Sequence, residues 1–393
     1  MQPDAKLSFF EQFGRIRENR FGSFLPVLLA LIAIWAYFGI SEPAFFSARN
    51  FYFLFMQSAV VGTLAVGITI VLLLGDIDLS AAATAGVCAA LMAVLIVAGV
   101  PGPIACVLAM VMGIVLGVVQ GTLVAYVGIP AFVVTLAGLL GFQGLMLKIL
   151  GIQGAINMRD PFVRGITTTS LPNALGWVLA AVCIAAMAFA VLRRQAQRKT
   201  RGLELESNGA LWGQILFFAV LVAGTVAVLN AYRGVPLLVV LLIGLTAIMG
   251  WITTSTPFGR SLFAVGGNEE SARRVGMNVQ HIRIAAFGLV GLMAAIGGIV
   301  GASRYASVSF NSFAGGPLLL EAIGAAVIGG TSLFGGRGSV WNAILGALVI
   351  GSLGNGLDLS GASAADKLMF SGAILLIAVA IDAMSRKGAS GGR

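Results

Sequence analysis

Apolar residues fill the chain in long stretches separated by short polar breaks. A helix that crosses a bilayer needs about 20 mostly apolar residues. Twelve runs meet that measure, near 24–40, 53–74, 79–99, 103–124, 130–150, 173–192, 211–230, 235–253, 282–302, 318–335, 339–357 and 367–384. The pattern predicts an all-α polytopic integral membrane protein with ten to twelve transmembrane helices. Its membrane domain covers 24–385, between a tail at 1–23 and a tail at 386–393. Pro130, Pro172 and Pro317 stand at or just before the starts of runs, where a missing N–H costs nothing. Gly329-Gly330 and Gly335-Gly336 interrupt the tenth and eleventh runs, which read as broken helices or as a re-entrant pair.

The polar breaks are mostly featureless, with one exception at 264–279, inside the break at 254–281. Asn268 is a good N-cap, since its side-chain oxygen can accept an orphan first-turn N–H. Glu269 and Glu270 follow at the positive end of the helix dipole, and Arg273 and Arg274 occupy the negative end. Each Glu reaches the Arg four residues on, a pairing of roughly 0.2–0.5 kcal/mol. Ser271 and Ala272 lie between them, and Gly276 supplies the left-handed residue that ends the turn. A short helix specified this completely by its own residues, between two membrane runs, reads as a docking element.

Composition agrees with the membrane assignment. The chain of 393 residues is 59% hydrophobic and 10% charged, against about 25% charged in a soluble domain. Its formal charge of +9 reflects topology rather than a nucleic-acid footprint. With the N-terminus inside, the cytoplasmic segments hold Lys6 to Arg20, Arg193 to Arg201, Arg260, Arg273, Arg274, Arg283, Arg337 and Arg386 to Arg393. Only Arg49, Lys148, Arg159, Arg164, Arg233, Arg304 and Lys367 fall outside. Both termini, the basic loop at 193–210 and the break at 254–281 are therefore expected in the cytoplasm. The longest outer loop, 153–172, is a candidate contact on the far side. No Ala-x-Ala-like cleavage site follows the first run, so it reads as a retained span. Leu7, Phe10, Phe13 and Ile16 suggest an interfacial helix before it.

Candidate chemistry is sparse. Cys88, Cys106 and Cys183 are scattered through apolar runs, and His281 is the single histidine, so neither a metal cluster nor a cofactor site is expected. No Gly-Lys dipeptide occurs, so the chain lacks a P-loop, and any ATP-driven work needs a separate engine. Asp76 and Asp78, between the second and third runs, read as capping or loop residues more readily than as an ion pair for coupling. Glu321 begins the tenth run, and Asp358 and Asp366 bound an outer loop. Gln57, Thr63, Thr69, Thr135, Gln143, Thr246, Asn342 and Asn355 either line a passage or join helices. Gly113, Gly117 and Gly121, with Gly297, Gly298 and Gly301, form small-residue ridges that suit close helix packing.

These features together resemble the permease subunits of bacterial ABC importers for monosaccharides, the ribose, arabinose, galactose and xylose group. The resemblance is carried by Pro257-Phe258-Gly259-Arg260, Ala264-Val265-Gly266-Gly267-Asn268 and the Ser271-Ala272…Gly276 turn. It continues in Glu321-Ala322-Ile323-Gly324-Ala325-Ala326-Val327-Ile328-Gly329-Gly330-Thr331-Ser332-Leu333 and Gly335-Gly336-Arg337-Gly338. Residues 75–80 are similar to the family's Gly-Gly-Ile-Asp-Leu-Ser, with Asp76 in place of the second Gly. Ala81-Ala82-Ala83-Thr84 departs from the turn that usually follows, and no Leu-Pro follows Gly276.

The likeness covers roughly 45–385, with two spans around 200–253 beyond a ribose-type permease, an enlargement that resembles the D-xylose type. It implies a multi-pass protein of the bacterial inner membrane, paired with a second copy of itself. It also implies a cytoplasmic ABC ATPase with two nucleotide-binding halves and a periplasmic sugar-binding protein as partners. Residues 268–276 would couple to the ATPase. Asp78, Glu321, Gly329, Gly330, Gly335 and Gly336 become translocation candidates through the same motifs. The expected activity is ATP-driven import of a monosaccharide, D-xylose first. A permease for another sugar or for branched-chain amino acids is the alternative, and an ion-coupled secondary transporter a more distant one.

Overall fold

The computed structural model describes residues 25–380 apart from 203–204, 206, 315–316, 364, 374–375 and 377–379. The expectations placed on 1–23 and 386–393, and half of the run at 367–384, lie outside the described residues. Among the described residues nine helices are long and apolar enough to cross a membrane, and two shorter apolar helices accompany them. The chain is a mostly helical, multi-pass membrane protein.

The first half runs α1 (Leu25–Ser41), α2 (Ala48–Leu74), α3 (Ala81–Val97), α4 (Gly102–Thr122) and α5 (Ala131–Leu150). A single π-helical turn, Leu123–Val127, extends α4 before Gly128 ends it at φ 79°. Next come the short α6 (Pro161–Thr168), then α7 (Asn173–Thr200), α8 (Asn208–Asn230) and α9 (Leu237–Ser255). The second half holds α10 (Pro257–Gly267), α11 (Glu269–Arg274), α12 (Val279–Tyr305), α13 (Phe310–Ala314), α14 (Pro317–Ile328) and α15 (Val340–Leu359).

The helices are arranged around α2, in which every residue from Ser58 to Leu74 is buried. α3 is buried from Ala81 to Ala90, and α12 packs against both. Because lipid is as apolar as Leu, burial of these side chains does not itself drive helices together. Close backbone approach and dispersion do. The ridge on α4 supplies that approach. A Cβ at Gly117 would overlap the Phe287 carbonyl oxygen of α12, and one at Gly121 would lie 2.9 Å from the Ile284 Cα. On the other side of α12, a Cβ at Gly298 would overlap the Ala85 carbonyl oxygen of α3. Both glycine ridges are therefore packing surfaces between helices. By contrast α7 and α8 form a peripheral hairpin whose apolar side chains are largely exposed. It touches the body where Val226 and Leu229 meet Tyr52 and Met56.

The polar residues within spans are mostly satisfied locally. Thr63, Thr69, Thr246 and Thr253 each donate to the carbonyl four residues back. Asn50 and Asn355 exchange side-chain hydrogen bonds at 2.8 and 2.9 Å, joining α2 to α15.

Three expectations change. The basic cluster at 193–200 is not a loop: α7 runs on to Thr200, so Arg193, Arg194, Arg198 and Lys199 sit on its last turns. Arg, Lys and Gln are good helix formers, and cations suit a helix C-terminus. The helical class admits four strands of two or three residues. β1 (Ala155–Asn157) pairs antiparallel with β4 (Ser307–Ser309), and β2 (Ser170–Leu171) with β3 (Val235–Pro236). These strands satisfy the backbone of the 153–172 connection, which is thereby structured rather than loose. Finally, the run at 318–335 is helical only to Ile328. α14 belongs to the candidate span Phe310–Ile328, 19 residues or about 28 Å at 1.5 Å per residue, which is one of the nine. Residues 329–338 complete the descent as an irregular turn with Gly330, Gly335, Gly336 and Gly338 all at positive φ.

Candidate functional site

The polar island forms the helix its residues specify. The Asn268 Oδ1 accepts from the Ser271 N–H at 2.8 Å. At the other end the Gly276 N–H donates to the Arg273 carbonyl and the Met277 N–H to the Ala272 carbonyl, the paired bonds of a Schellman turn. Gly276 takes φ 83°, the left-handed conformation that this turn requires. Glu269 pairs with Arg273 at 2.9 Å, and Glu270 pairs with Arg274.

The helix has two unlike faces. Glu270 and Arg274 are 75% exposed, and their pairing contributes little, as solvated pairs do. Ala272 is buried against the body. Glu269 departs from the expected role of a free docking charge. Its second carboxylate oxygen accepts from the Arg283 guanidinium of α12 at 3.1 Å. Arg283 Nε also donates to Asp76 Oδ2 at 2.7 Å, and both of these side chains are only about 15% exposed. One guanidinium thus ties α11, α12 and the end of α2 together. Burial raises the Asp76 carboxyl pKa above its ordinary value, against the pull of Arg283.

Sequence reasoning passed over this pairing. Arg283 counts there only as a topology signal, and Asp76 as a capping or loop residue and a departure from a motif. A lone cation in the first turns of a long apolar helix was the available clue, since such charges rarely lack a partner.

Three glycine-bearing segments converge beside the triad. The Gly336 N–H donates to the Leu73 carbonyl at the end of α2. A Cβ at Gly335 would lie 2.7 Å from the Gly266 carbonyl oxygen and 2.8 Å from the Gly75 N. One at Gly266 would overlap the Leu73 carbonyl oxygen. The end of α2, the end of α10 and the 329–338 turn therefore meet backbone to backbone, where side chains would hold them apart. Gly335 and Gly336 sit in this junction, whereas Gly329 packs against the Asn342 carbonyl of α15 and Gly330 closes α14 at φ 90°.

Asp78 lies nearby but faces inward. It is buried, and its Oδ1 accepts from both the N–H and the hydroxyl of Ser80 at 2.7 Å. Ser80 in turn accepts from the Gln120 amide of α4 at 2.8 Å, and Thr135 of α5 donates to the Ile77 carbonyl. The 75–80 turn is thereby clamped to two further helices, and Asp78 is a turn-forming residue in this geometry. A groove of about 380 Å³ opens between Asp76, Glu269, Arg273, Arg283 and the 128–131 turn. Glu321 is not part of this site: it belongs to the first turns of α14, toward the opposite end of the body.

α11 is thus a capped helix on the surface, ionically fixed to the end of α2 and to α12 beside a glycine junction. The Glu269, Arg283 and Asp76 side chains join α11 to two central helices.

Comparison with known proteins places the chain in a family. Residues 50–379 match the family described as branched-chain amino acid transport system / permease component. The xylose transport system permease protein XylH of Escherichia coli (strain K12) is 37% identical over 363 residues, 92% of each chain. Its counterpart in Haemophilus influenzae is 34% identical over 92% of this chain and 96% of that one. The ribose import permease protein RbsC of Bacillus subtilis (strain 168) is 32% identical over 93% and 92%. No solved structure matches. The chain therefore belongs to the branched-chain amino acid transport system permease component family.

Proposed function

We propose that the chain is the membrane-spanning permease subunit of an ATP-driven importer of a monosaccharide, D-xylose in the first instance. It works by alternating access in a bacterial inner membrane, with ten to twelve spans and both termini in the cytoplasm. The permease names of its relatives support this reading, two of them for xylose and one for ribose. ATP hydrolysis belongs to a separate cytoplasmic ATPase with two nucleotide-binding halves, because this chain has no P-loop. A periplasmic sugar-binding protein delivers the solute, and two copies of the chain form the translocating unit. No nucleic acid takes part.

The observation that carries the mechanism is the Glu269–Arg283–Asp76 triad beneath α11. Closure of the ATPase displaces α11 by its exposed Glu270–Arg274 face. Arg283 passes the displacement to α12 directly and to α2 through Asp76. The glycine junction keeps the 329–338 turn in register with both. Since α12 runs about 40 Å, from the triad to Tyr305, a tilt at one end moves the other end of the body.

The test is purification of the intact complex, identification of its co-eluting subunits, and uptake by proteoliposomes with a panel of pentoses, hexoses and branched-chain amino acids. Pentose uptake that depends on ATP and survives collapse of ion gradients is the expected result. Gradient-driven uptake would refute the proposal, and preferential uptake of an amino acid would replace the substrate.

A further inference from the structure

At the end of the body opposite α11 lies a second cavity, of about 360 Å³, which the coupling machinery does not use. Its sidedness follows from connectivity. α12 starts at the triad and its C-terminal Arg304 and Tyr305 line the cavity, together with Gln57 from the half of α2 remote from Leu74. Asn311 of α13, Glu321 near the start of α14 and Asp358 near the end of α15 complete the polar wall. Three successive elements thus contribute polar groups, two of them from α13 with Ser312, while Val60, Val61 and Phe313 close much of the rest. Beyond Gln57 every residue of α2 is buried down to Leu74, so the recess ends in packed core instead of continuing through the body.

The wall has the chemistry of a site for a neutral polyol. It offers carboxylates as acceptors, a guanidinium as donor, and amides that do both. The Arg304 Nε is buried and has no hydrogen-bond partner among the described residues, a donor whose desolvation is uncompensated until something accepts from it. Asp358 is paired with Lys367, so the formal charges of Arg304, Glu321, Asp358 and Lys367 balance. A site with balanced charge and many donors and acceptors favours an uncharged, hydroxyl-rich solute over an ion. The ring of Tyr305, 45% exposed, adds an apolar face of the kind that stacks on a pyranose.

We propose that this cavity is the outer sugar subsite of the permease, where a monosaccharide released on the far side is held by Arg304 and Glu321 before the helices tilt. The proposal rests on the transport reading above and adds the residues that touch the solute.

It is tested in proteoliposomes holding the complete transporter, with the sugar-binding protein added outside and labelled D-xylose as the probe. Both ATP hydrolysis and sugar uptake are followed, and their ratio is the readout. Arg304→Gln and Glu321→Gln are each expected to lower the sugar moved per ATP by about tenfold, the loss of one charge-assisted hydrogen bond. Hydrolysis stimulated by the loaded binding protein is expected to persist, and Arg304→Lys to restore part of the ratio. A parallel fall in hydrolysis and uptake, or no change in either, overturns the proposal.

A second measurement covers variants that fail to assemble. In Asn311→Cys, D-xylose is expected to slow modification by a membrane-impermeant maleimide added outside, and equal rates with and without the sugar count against the subsite. The two readings fail separately. Unaltered complex that moves no sugar sinks the transport assignment and this proposal with it, while normal transport with unchanged variants sinks only the subsite.

Discussion

Removal of Arg283 is the sharpest perturbation of the triad proposed to couple α11 to the body. The side chain is about 15% exposed and makes two charge-assisted bonds, to Asp76 at 2.7 Å and to Glu269 at 3.1 Å. Arg283→Ala leaves Asp76 buried without its cation. Hydrogen bonds to charged groups are worth about 1.5–3 kcal/mol each. Stripping one partner from a buried pair costs about 3–5 kcal/mol. Asp76 has an escape, because protonating an ordinary carboxyl at neutral pH costs about 4 kcal/mol at 1.36 kcal/mol per unit, and burial has already raised its pKa.

The expected loss is therefore about 2–4 kcal/mol, toward the lower side because Glu269 is more exposed and can rehydrate. The assay is thermal unfolding in detergent, paired with uptake and ATP hydrolysis in proteoliposomes. Arg283→Ala should destabilise the protein and uncouple it, with hydrolysis outlasting sugar movement. The decisive variant is the double one. Adding Asp76→Asn to Arg283→Ala removes the orphan charge and should recover part of the stability, whereas Asp76→Asn alone should cost stability. The corresponding cycle should close with an interaction of about 0.5–3 kcal/mol. Strictly additive single effects, or normal coupling in Arg283→Ala, would refute the reasoning.

Other outcomes follow from the same geometry. Gly117→Val places a Cβ on the Phe287 carbonyl and should abolish recovery of monodisperse protein by size-exclusion chromatography, while Gly141→Ala, a helical site with open space, should be neutral or stabilise by up to about 1 kcal/mol. Gly276→Ala meets no atom but must hold φ 83°, so it should cost about 1–2 kcal/mol, read as a shift in thermal unfolding, without loss of membrane insertion. Glu270→Cys, exposed on α11, should resist a membrane-impermeant maleimide in sealed cells and react in inverted vesicles; labelling from outside would reverse the topology. Glu270→Lys should weaken co-purification of the ATPase while leaving thermal stability unchanged, because that pair is solvated.

What the sequence determined by itself was whatever depends on near neighbours. Length and apolarity of the runs settle that the chain lives in lipid. Asn268, the Glu and Arg pairs and Gly276 specify α11 because each cap and ion pair joins residues at most five apart. α7 extends through the basic cluster because Arg, Lys and Gln propagate helices well, so polarity there marks no break in the helix.

Only the tertiary structure decided which faces meet. A helix apolar on every side carries no stripe to say which side touches lipid and which touches protein, since both surroundings are equally apolar. Hence Asp76 finding Arg283 across 207 positions, the junction of Gly75, Gly266 and Gly335, and the cavity wall drawn from five helices are not encoded in any local pattern. They arise from how the helices pack, and the proposed coupling pathway and sugar subsite are built from them.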